Sequence, residues 1–418
     1  MKKLYSLGLV ALVATLLVAC GGNPNGRGDD KGEKYVVILS MDAFRHDFAE
    51  LYNTPTLDSI ASVGVFSEIM PCFPSNTFSN HYSMATGLHP DHHGIVNNSF
   101  YDKSMGLSYS IKDNEARENA DFYKGEPIWN TVERQGLTAH VYTWVGVEAP
   151  INDHFPTKYL IYDSQRSRRE LADHVLEALC NPNVEEIPNL TMWYFDEPDA
   201  VAHKYGPESE QTRAVVEDID DVLAYFMREV RRSPVYDKIN FIFTADHGMT
   251  ELSPERYYNI YELIPGEAEY YFNANPLTLE PSEERIDEVY ATLKAHQEEG
   301  HYQVWLREEM PEEYHYGTYT DRILPIVLLP DVGWKVVYRE EVGRGRPKPN
   351  EATHGFDPFH PDMHMAFYGC GPAFKRGYTH DKVFQNLNDH LIISHILGIE
   401  PAENNDCVWG DIKDLFRK

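Results

Sequence analysis

The stretch "YVVILSMD", residues 35–42, decides the fold class, because an almost unbroken run of apolar residues ends at an acidic one. A short continuous apolar run is typical of a strand buried on both faces of a parallel sheet. Similar runs occur in "LTMWYF", residues 190–195, and in "INFIF", residues 239–243, with helical patterns between them. The sequence therefore predicts an α/β fold with a mainly parallel central sheet flanked by helices.

Helical periodicity is clearest in residues 212–232, where apolar side chains recur every three or four positions with carboxylates between them. Residues 127–135 predict a second helix, opened by a proline and closed by a glycine, and residues 387–397 predict a closing helix. From about residue 256 to 347, tyrosines and prolines accumulate and strand-like runs mix with a helical pattern. We interpret this region as a smaller subdomain inserted into the main domain.

The first twenty residues have the layout of an export signal. Two lysines precede an apolar run over residues 7–19, which is short for a membrane-spanning helix. Cys20 follows an alanine and precedes two glycines, which resembles the lipobox of bacterial lipoproteins, where the cysteine is lipidated. The alternative is an ordinary signal peptide that happens to contain Cys20. Either interpretation predicts export, and the lipobox predicts a membrane anchor facing the periplasm or the cell surface.

Residues 21–33 contain no apolar residue apart from glycine and proline, so we expect a flexible tether before a folded domain at residues 34–418. Export permits disulfides among the remaining cysteines, for which three full pairings and at most one or two bridges are expected. These cysteines are Cys72, Cys180, Cys370 and Cys407. The formal net charge of −29 argues against a nucleic-acid-binding surface, which would need to be basic.

Acidic residues follow each of the three apolar runs. They are Asp42, then Asp196 and Asp199, and Asp246. Because the carboxyl ends of parallel strands meet at one edge of a sheet, these carboxylates are expected to converge. His203 lies four residues after Asp199, which places both on one helix face, while His247 follows Asp246 directly and His354 precedes a glycine. Each pattern alone is common in surface pairs or turns, but together they offer ligands for two divalent ions.

With these motifs, the chain resembles the nucleotide pyrophosphatase/phosphodiesterase family of the alkaline phosphatase superfamily, from about residue 34 to the C-terminus. The segments that carry the resemblance are "SMDAFRHDF" (40–48), "PSNTFSNHYSMATGLHPDHHGIVNN" (74–98), "EPDAVAHKYGP" (197–207), "TADHGM" (244–249), "THGFDP" (353–358), "MAFYGCGPAF" (365–374) and "LGIEPAENN" (397–405). The sequence departs from the family pattern at Asn76, where many members have lysine, and at Ser79, where proline is usual. Both departures weaken any transfer of substrate preference.

The resemblance implies two zinc ions and a threonine nucleophile. Carried over by position, the ligands of the first ion are Asp42, Asp246 and His247, with Thr77 beside it, and those of the second are Asp199, His203 and His354. Thr77 would attack phosphorus to form a phosphothreonine intermediate, which water then hydrolyses. Asn98 matches the family asparagine whose amide donates to a phosphate oxygen; without the resemblance, it would equally suit a turn.

Aromatic residues near these motifs are candidates for substrate contact, although packing is an equally good interpretation. Phe78 and Tyr205 are expected to form walls for a nucleobase or for another group on the leaving side, with Tyr162 as a further candidate. The resemblance assigns His81, His92 and His93 to hydrogen bonds that orient loops. His360 and His364 are spaced like a metal-binding pair on a helix, but Pro361 disfavours a helix through them, so they are left outside the site.

The sequence thus predicts a zinc-dependent hydrolase of phosphodiester or pyrophosphate bonds that releases a nucleoside 5'-monophosphate from a nucleotide substrate. One alternative keeps the metals and changes the substrate to a phosphomonoester, a phosphocholine-type lipid or a phosphonate. Another is a non-catalytic lipoprotein that captures phosphate compounds or metal. That alternative would be favoured by loss of the nucleophile or of a ligand, and the sequence retains all of them.

Overall fold

The computed structural model describes residues 34–319 and 321–418. The predicted signal peptide, Cys20 and the tether lie outside these residues. The first strand begins at Tyr35, next to the predicted start of the folded domain. Within the described ranges, every helix is too short or too polar to span a bilayer.

Strands occur along the whole described chain. They are β1 (Tyr35–Met41), β2 (Val65–Met70), β3 (Ser99–Asp102), β4 (Leu107–Ser110), β5 (Ala139–Tyr142), β6 (Lys158–Leu160), β7 (Leu190–Phe195), β8 (Ile239–Thr244), β9 (Thr250–Glu251), β10 (Tyr257–Asn259), β11 (Ala268–Phe272), β12 (Leu277–Pro281), β13 (Tyr302–Leu306), β14 (Ile326–Pro330), β15 (Lys335–Val337), β16 (Ala352–Thr353), β17 (Met365–Cys370) and β18 (Tyr378–Gln385).

Helices alternate with the strands in the first half of the chain and again near its end. They are α1 (Phe48–Leu51), α2 (Pro55–Val63), α3 (Thr77–Thr86), α4 (Pro90–His93), α5 (Asn114–Glu118), α6 (Ile128–Arg134), α7 (Arg168–Leu179), α8 (Asp199–Tyr205), α9 (Glu210–Glu229), α10 (Ile286–Ala295), α11 (Asp389–Leu397) and α12 (Trp409–Ile412).

The central sheet has eight strands in the order β18-β2-β17-β8-β1-β7-β5-β6. From β8 to β6 all neighbours are parallel, whereas β17 is antiparallel to both β2 and β8. All seven residues of β1 are buried, because strands pair on both sides of it and helices cover both faces. The prediction of an α/β fold with a mainly parallel sheet is confirmed.

The three predicted helices are present with shifted ends. The helix expected over residues 212–232 is α9, which begins at Glu210 because the side chain of Ser209 accepts a hydrogen bond from the Thr212 amide. It ends at Glu229, and a 3₁₀ turn continues over Val230–Arg232. The closing helix α11 begins at Asp389 and ends at the left-handed Gly398.

A second, antiparallel sheet lies within residues 256–347, in the order β11-β12-β14-β13. Helix α10 packs on it, and the two share a hydrophobic cluster separate from the main core. A buried ion pair fastens this region to the segment after α3: Arg322 Nε lies 2.6 Å from Asp102 Oδ2, and Arg322 Nη1 donates to the Gly94 carbonyl. Asp91 accepts hydrogen bonds from the backbone amides of Thr318 and Tyr319.

None of the four cysteines of the described chain forms a disulfide, so none of the three pairings is present in this structure. They lie in different surroundings. Cys72 Sγ lies 3.7 Å from Asn386 Oδ1, for example, whereas Cys180 Sγ contacts the Glu229 carbonyl at 3.7 Å. The expectation of bridges is therefore not met.

Candidate active site

The carboxyl ends of β8, β1 and β7, three adjacent strands, form the base of the site. Asp42 directly follows β1, Asp246 lies two residues after β8, and Asp199 begins α8 after β7. Asp42 and Asp246 are buried, and Asp199 is partly buried. The predicted convergence of carboxylates at this edge is observed because the strands that carry them are neighbours.

A first group of ligand atoms comes from Asp42, Asp246 and His247, whose atoms all lie within 4.8 Å of one another. His247 Nε2 is 3.4 Å from Asp42 Oδ1 and 3.2 Å from Asp246 Oδ2. Ala43, which has a positive φ of 57°, donates its amide to Asp246 Oδ1 at 3.0 Å and so fixes that carboxylate. Two carboxylates and one imidazole therefore point at a single position.

A second group contains Asp199, His247 and His354. His203 joins it through Asp199 Oδ1, which lies 3.3 Å from His203 Nε2 and 3.7 Å from His354 Nε2. The rings of His247 and His354 are stacked at a centroid distance of 3.7 Å, and His203 lies beyond His354 at 5.0 Å. The predicted ligands of the second ion are thus brought together, and His247, assigned only to the first ion, lies between the two groups.

The donor atoms of both groups fit divalent zinc. Each histidine has Nδ1 within 2.9 Å of a backbone carbonyl oxygen: Ala352 for His203, Gly248 for His247 and Ser75 for His354. That contact assigns the ring proton to Nδ1 and leaves Nε2 as an available ligand. Three buried carboxylate oxygens have no hydrogen-bond partner within the described residues, namely Asp42 Oδ1, Asp199 Oδ1 and Asp246 Oδ2. Buried oxygens of this kind are costly unless a cation compensates them.

The electrostatics of the metal-free groups indicate the same need for positive charge. Burial and the nearby carboxylates of Asp246 and Asp199 raise the pKa of Asp42 well above its ordinary value. Burial opposes it, but the neighbouring His203 lowers the pKa of Asp199 by stabilising its negative charge. Burial and the neighbouring His247 lower the pKa of His354, which keeps this imidazole neutral and able to bind a metal.

The glycines after His247 and His354 allow close backbone packing behind the ligands. A Cβ atom on Gly248 would lie 2.0 Å from the Asp362 carbonyl oxygen. Gly355 has a φ of +84°, and a Cβ there would lie 2.6 Å from the Asn275 carbonyl oxygen. Any side chain at either position would displace the backbone that carries the histidine.

Thr77 is the first residue of α3 and lies beside both groups. Its Oγ1 is 3.1 Å from His247 Nε2, and its carbonyl oxygen lies 2.9 Å from His81 Nδ1. The His81 carbonyl in turn accepts a hydrogen bond from Trp144 Nε1 at 3.0 Å. The hydroxyl therefore adjoins the metal-binding groups, while buried contacts hold the helix that carries it.

Asn98 lies next to the start of the same helix. Asn98 Oδ1 accepts a hydrogen bond from the Phe78 amide at 3.0 Å. The backbone amide of Asn98 donates to Asn97 Oδ1 at 2.7 Å. This orientation leaves the Asn98 Nδ2 group as a donor beside Thr77.

A cavity of about 320 Å³ opens beside Thr77. Its walls include Phe78 and Tyr162, two of the three predicted substrate-contacting aromatics. Tyr205 is not among the residues that line the cavity. Asp199, at the start of α8, lines it, whereas Tyr205 lies six residues later, about 9 Å further along the helix. The Tyr205 ring is 37% exposed and lies 4.8 Å from the Lys204 ammonium. Tyr205 is therefore outside the lining of this cavity, and its contact with a substrate stays a prediction.

The other histidines considered in the sequence make hydrogen bonds or ion pairs outside the ligand groups. His93 Nε2 lies 3.0 Å from Ser83 Oγ, and His92 Nδ1 lies 2.7 Å from Asp406 Oδ2. His364 Nδ1 lies 2.5 Å from Glu68 Oε1, and a 3₁₀ turn over Pro361–Met363 separates it from His360. Neither His360 nor His364 belongs to the two ligand groups.

Three residues of the site escape the sequence patterns. The Tyr194 hydroxyl donates to Asp42 Oδ2, and its place on β7 beside β1 could be found only once these strands are paired. Arg117 and Glu148 line the cavity and form an ion pair with Nε and Oε2 2.6 Å apart. They come from α5 and a loop, where no motif marks them.

The chain matches one protein family over most of its length. Residues 36–357 match the family model described as type I phosphodiesterase / nucleotide pyrophosphatase. Bis(5'-adenosyl)-triphosphatase ENPP4 of Bos taurus is 31% identical over 413 residues, covering 98% of this chain and 86% of the relative. Ectonucleotide pyrophosphatase/phosphodiesterase family member 5 of Homo sapiens is 30% identical over 392 residues, covering 92% of this chain and 78% of the relative.

Solved structures agree with these matches. Murine ENPP5 superposes with a TM-score of 0.83 at 29% identity, covering 92% of this chain and all of that one. An inactive threonine-to-alanine variant of the murine protein, solved in complex with AMP, gives the same TM-score of 0.83.

Proposed function

Since this chain belongs to the type I phosphodiesterase / nucleotide pyrophosphatase family, we propose that it cleaves nucleotide phosphodiester or pyrophosphate bonds with two zinc ions and Thr77 as nucleophile. As a member of this family within the alkaline phosphatase superfamily, it is a hydrolase with phosphodiesterase and nucleotide pyrophosphatase activity. The zinc ions, the threonine intermediate and release of a nucleoside 5'-monophosphate are the finer parts of the proposal.

One observation carries the proposal: the Thr77 hydroxyl lies 3.1 Å from Nε2 of His247, the histidine shared by both ligand groups, and these groups contain three buried carboxylate oxygens without hydrogen-bond partners within the described residues. The ligands proposed for the two ions are Asp42, Asp246 and His247, and Asp199, His203 and His354. Bound zinc would supply the positive charge that the reacting oxygens need in the attack and in the hydrolysis.

Two displacements complete the proposed reaction. In the first, Thr77 Oγ1 forms a bond to phosphorus while the bond from phosphorus to the leaving oxygen breaks, leaving the nucleoside phosphate on threonine. In the second, a water oxygen attacks that phosphorus, and the bond to Oγ1 breaks to restore the hydroxyl. Asn98 Nδ2 donates a hydrogen bond to a non-bridging phosphate oxygen in both steps.

The cavity supports a nucleoside as the group retained on phosphorus. Phe78 follows Thr77 directly, and Tyr162 lies on the same cavity, so the two rings can contact the faces of a base. The complex of a related protein with AMP is consistent with this assignment.

Initial rates on two chromogenic substrates test the proposal. We expect kcat/KM for the p-nitrophenyl ester of thymidine 5'-monophosphate to exceed that for p-nitrophenyl phosphate by at least about a hundred-fold, because only the diester fills the cavity. A faster rate on the monoester would instead identify a phosphomonoesterase built on the same ligands.

We further propose that the protein is exported and anchored through a lipid on Cys20. The apolar run over residues 7–19 and the glycines after Cys20 support this location. Metabolic labelling with palmitate in a bacterial host should mark the wild-type protein and not Cys20→Ala. Equal labelling of both would contradict the anchor.

A further inference from the structure

Asp196 is a strand-end carboxylate that belongs to neither of the two ligand groups. It directly follows β7, which ends at Phe195, just as Asp42 directly follows β1. The Asp196 side chain lines the cavity beside Thr77 and is partly buried. Asp196 is therefore a candidate for contact with the substrate rather than with a metal.

The Asp196 side chain is held at one of its two oxygens. The Tyr162 hydroxyl donates to Asp196 Oδ2 at 2.6 Å. Burial and this hydrogen bond raise the pKa of Tyr162, so the hydroxyl keeps the proton that it donates. Within residues 34–319 and 321–418, Asp196 Oδ1 has no hydrogen-bond donor or salt-bridge partner. One carboxylate oxygen is thus fixed, while the other is available to a ligand.

Two nearby arginines have partners other than Asp196. Together with Asp196, Arg166 and Arg168 line a small recess next to the cavity. Arg166 Nη1 donates to the Ile161 carbonyl at 3.1 Å, and Arg168 Nε donates to Asp218 Oδ2 at 3.1 Å. Neither guanidinium group therefore occupies the free oxygen of Asp196.

The hydrogen-bonded pair of Asp196 and Tyr162 connects the two ends of the site. Tyr162 walls the cavity together with Phe78. Tyr194, two residues before Asp196, also lines the cavity and donates to Asp42 Oδ2. Asp196 is thus close to the metal-binding end along the chain, and it contacts the aromatic wall through Tyr162.

A nucleotide bound as proposed above presents its sugar to this pair. Its phosphorus is at Thr77 and its base contacts Phe78 and Tyr162, so the ribose lies between them. Ribose carries two adjacent hydroxyls, and a carboxylate accepts from such groups in charge-assisted hydrogen bonds. Acidic side chains hold a ribose hydroxyl in this way in dinucleotide-binding folds. The free oxygen of Asp196 therefore matches the sugar in position and in chemistry.

We propose that Asp196 accepts hydrogen bonds from the ribose hydroxyls of the substrate and makes the enzyme selective for nucleotides that carry them. The inference rests on the proposed function and adds recognition of the sugar to it. Tyr162 has two parts in this arrangement: its ring contacts the base, and its hydroxyl fixes the carboxylate that binds the sugar.

The test compares ATP with 2',3'-dideoxyATP, which keeps the base and the leaving pyrophosphate but lacks both hydroxyls. Wild-type kcat/KM for ATP should exceed that for the analogue at least about ten-fold, the effect of losing hydrogen bonds to a charged acceptor. Asp196→Ala should lower this ratio at least about five-fold, because the acceptor is removed. Asp163→Ala is the matched control and should keep the wild-type ratio, since Asp163 lines the recess but not the cavity.

The outcomes separate the inference from the proposed function. If wild-type protein hydrolyses neither substrate, the proposed function is wrong. If it hydrolyses them with a smaller preference, or if Asp196→Ala gives a smaller fall in the ratio, the inference is wrong and the proposed function stands. Asp196→Asn keeps the size of the side chain but not its charge. Its ratio should also fall, which repeats the comparison in a variant that preserves the packing around β7.

Discussion

At one end of the site, three carboxylates and three histidines lie close together, and two of the carboxylates are fixed within two residues of neighbouring strands of the central sheet. At the other end, the cavity is walled by Phe78 and Tyr162 and by the ion pair of Arg117 and Glu148, which come from loops and helix ends. The first end is positioned by backbone pairing that the fold cannot change without losing its core. The second depends on side chains that can change while the sheet remains intact.

We therefore expect the metal-binding end to carry out the chemistry. We expect the cavity end to select the substrate. Substitutions at the first should abolish turnover or metal binding. Substitutions at the second should change KM and substrate preference while the metals remain bound.

The largest effect is expected from Thr77→Ala, which removes the proposed nucleophile at the junction of the two ends. Turnover of the thymidine ester should fall at least about a thousand-fold, as in enzymes that lose their nucleophile. Zinc content, measured by atomic emission, should stay near the wild-type value because the carboxylates and histidines remain. Activity within a few-fold of wild type would rule out the covalent route, and Thr77→Ser, which keeps a hydroxyl, is the matched control.

His354→Gln tests the metal-binding end alone. We expect lower zinc content and a loss of turnover greater than about a hundred-fold, since a ligand is removed outright. His364→Gln is the control, because His364 is also nearly buried but contacts Glu68 outside both ligand groups. Asp199→Asn should behave like His354→Gln. Full zinc occupancy in either variant would contradict the ligand assignment.

Phe78→Ala tests the cavity end. The KM for the thymidine ester should rise about ten-fold, because stacking on an aromatic ring contributes roughly 1–3 kcal/mol per base. Zinc content should not change. Tyr205→Ala removes an aromatic side chain outside the cavity and should leave KM within two-fold. If the two variants had the same KM, the cavity would not be the nucleoside site.

The sequence predicts the metal-binding end well and the cavity end poorly, for a physical reason. Continuous apolar runs define β1, β7 and β8, and each leads into the acidic residue that its strand positions. By contrast, the ion pair of Arg117 and Glu148 joins residues 31 positions apart through packing that no local pattern encodes.

The features that the sequence leaves open have the same origin. Tyr205 follows a metal-binding motif, but the helix that presents Asp199 places Tyr205 outside the lining of the cavity. The position of His247 between both ligand groups and the antiparallel insertion of β17 between β2 and β8 depend on long-range pairing. In each case the deciding contact joins segments far apart in the chain.

The smallest expected effect concerns pH and the metal-free site. Burial and like charges raise the folded-state pKa of Asp42 above its unfolded value of about 3.9, so the folded state holds a proton that the unfolded state has lost. Stability of the zinc-free protein should therefore fall as pH rises from about 4 through that raised pKa. The zinc proposed for this site would compensate the Asp42 charge, so the stabilisation that added zinc gives should grow with pH.

Thermal melts with and without zinc, between about pH 5 and 8, measure the rise in melting temperature that zinc gives at each pH. This rise is the zinc increment. We expect it to increase by about 5 °C or less across the range, in line with the modest gains that ligand binding gives a large domain. Asp389, also buried and with a pKa raised by burial to about 8, affects both forms and cancels in the difference. An increment that is constant or shrinks with pH would contradict the assignment of Asp42.

The most direct test of the central claim is to trap the intermediate. Wild-type protein mixed with the thymidine ester and quenched in acid within milliseconds should yield a peptide containing Thr77 that is heavier by one thymidylyl group. Fragmentation should place that group on the Thr77 oxygen. A burst of p-nitrophenol with the added mass on another residue, or on none, would contradict the account.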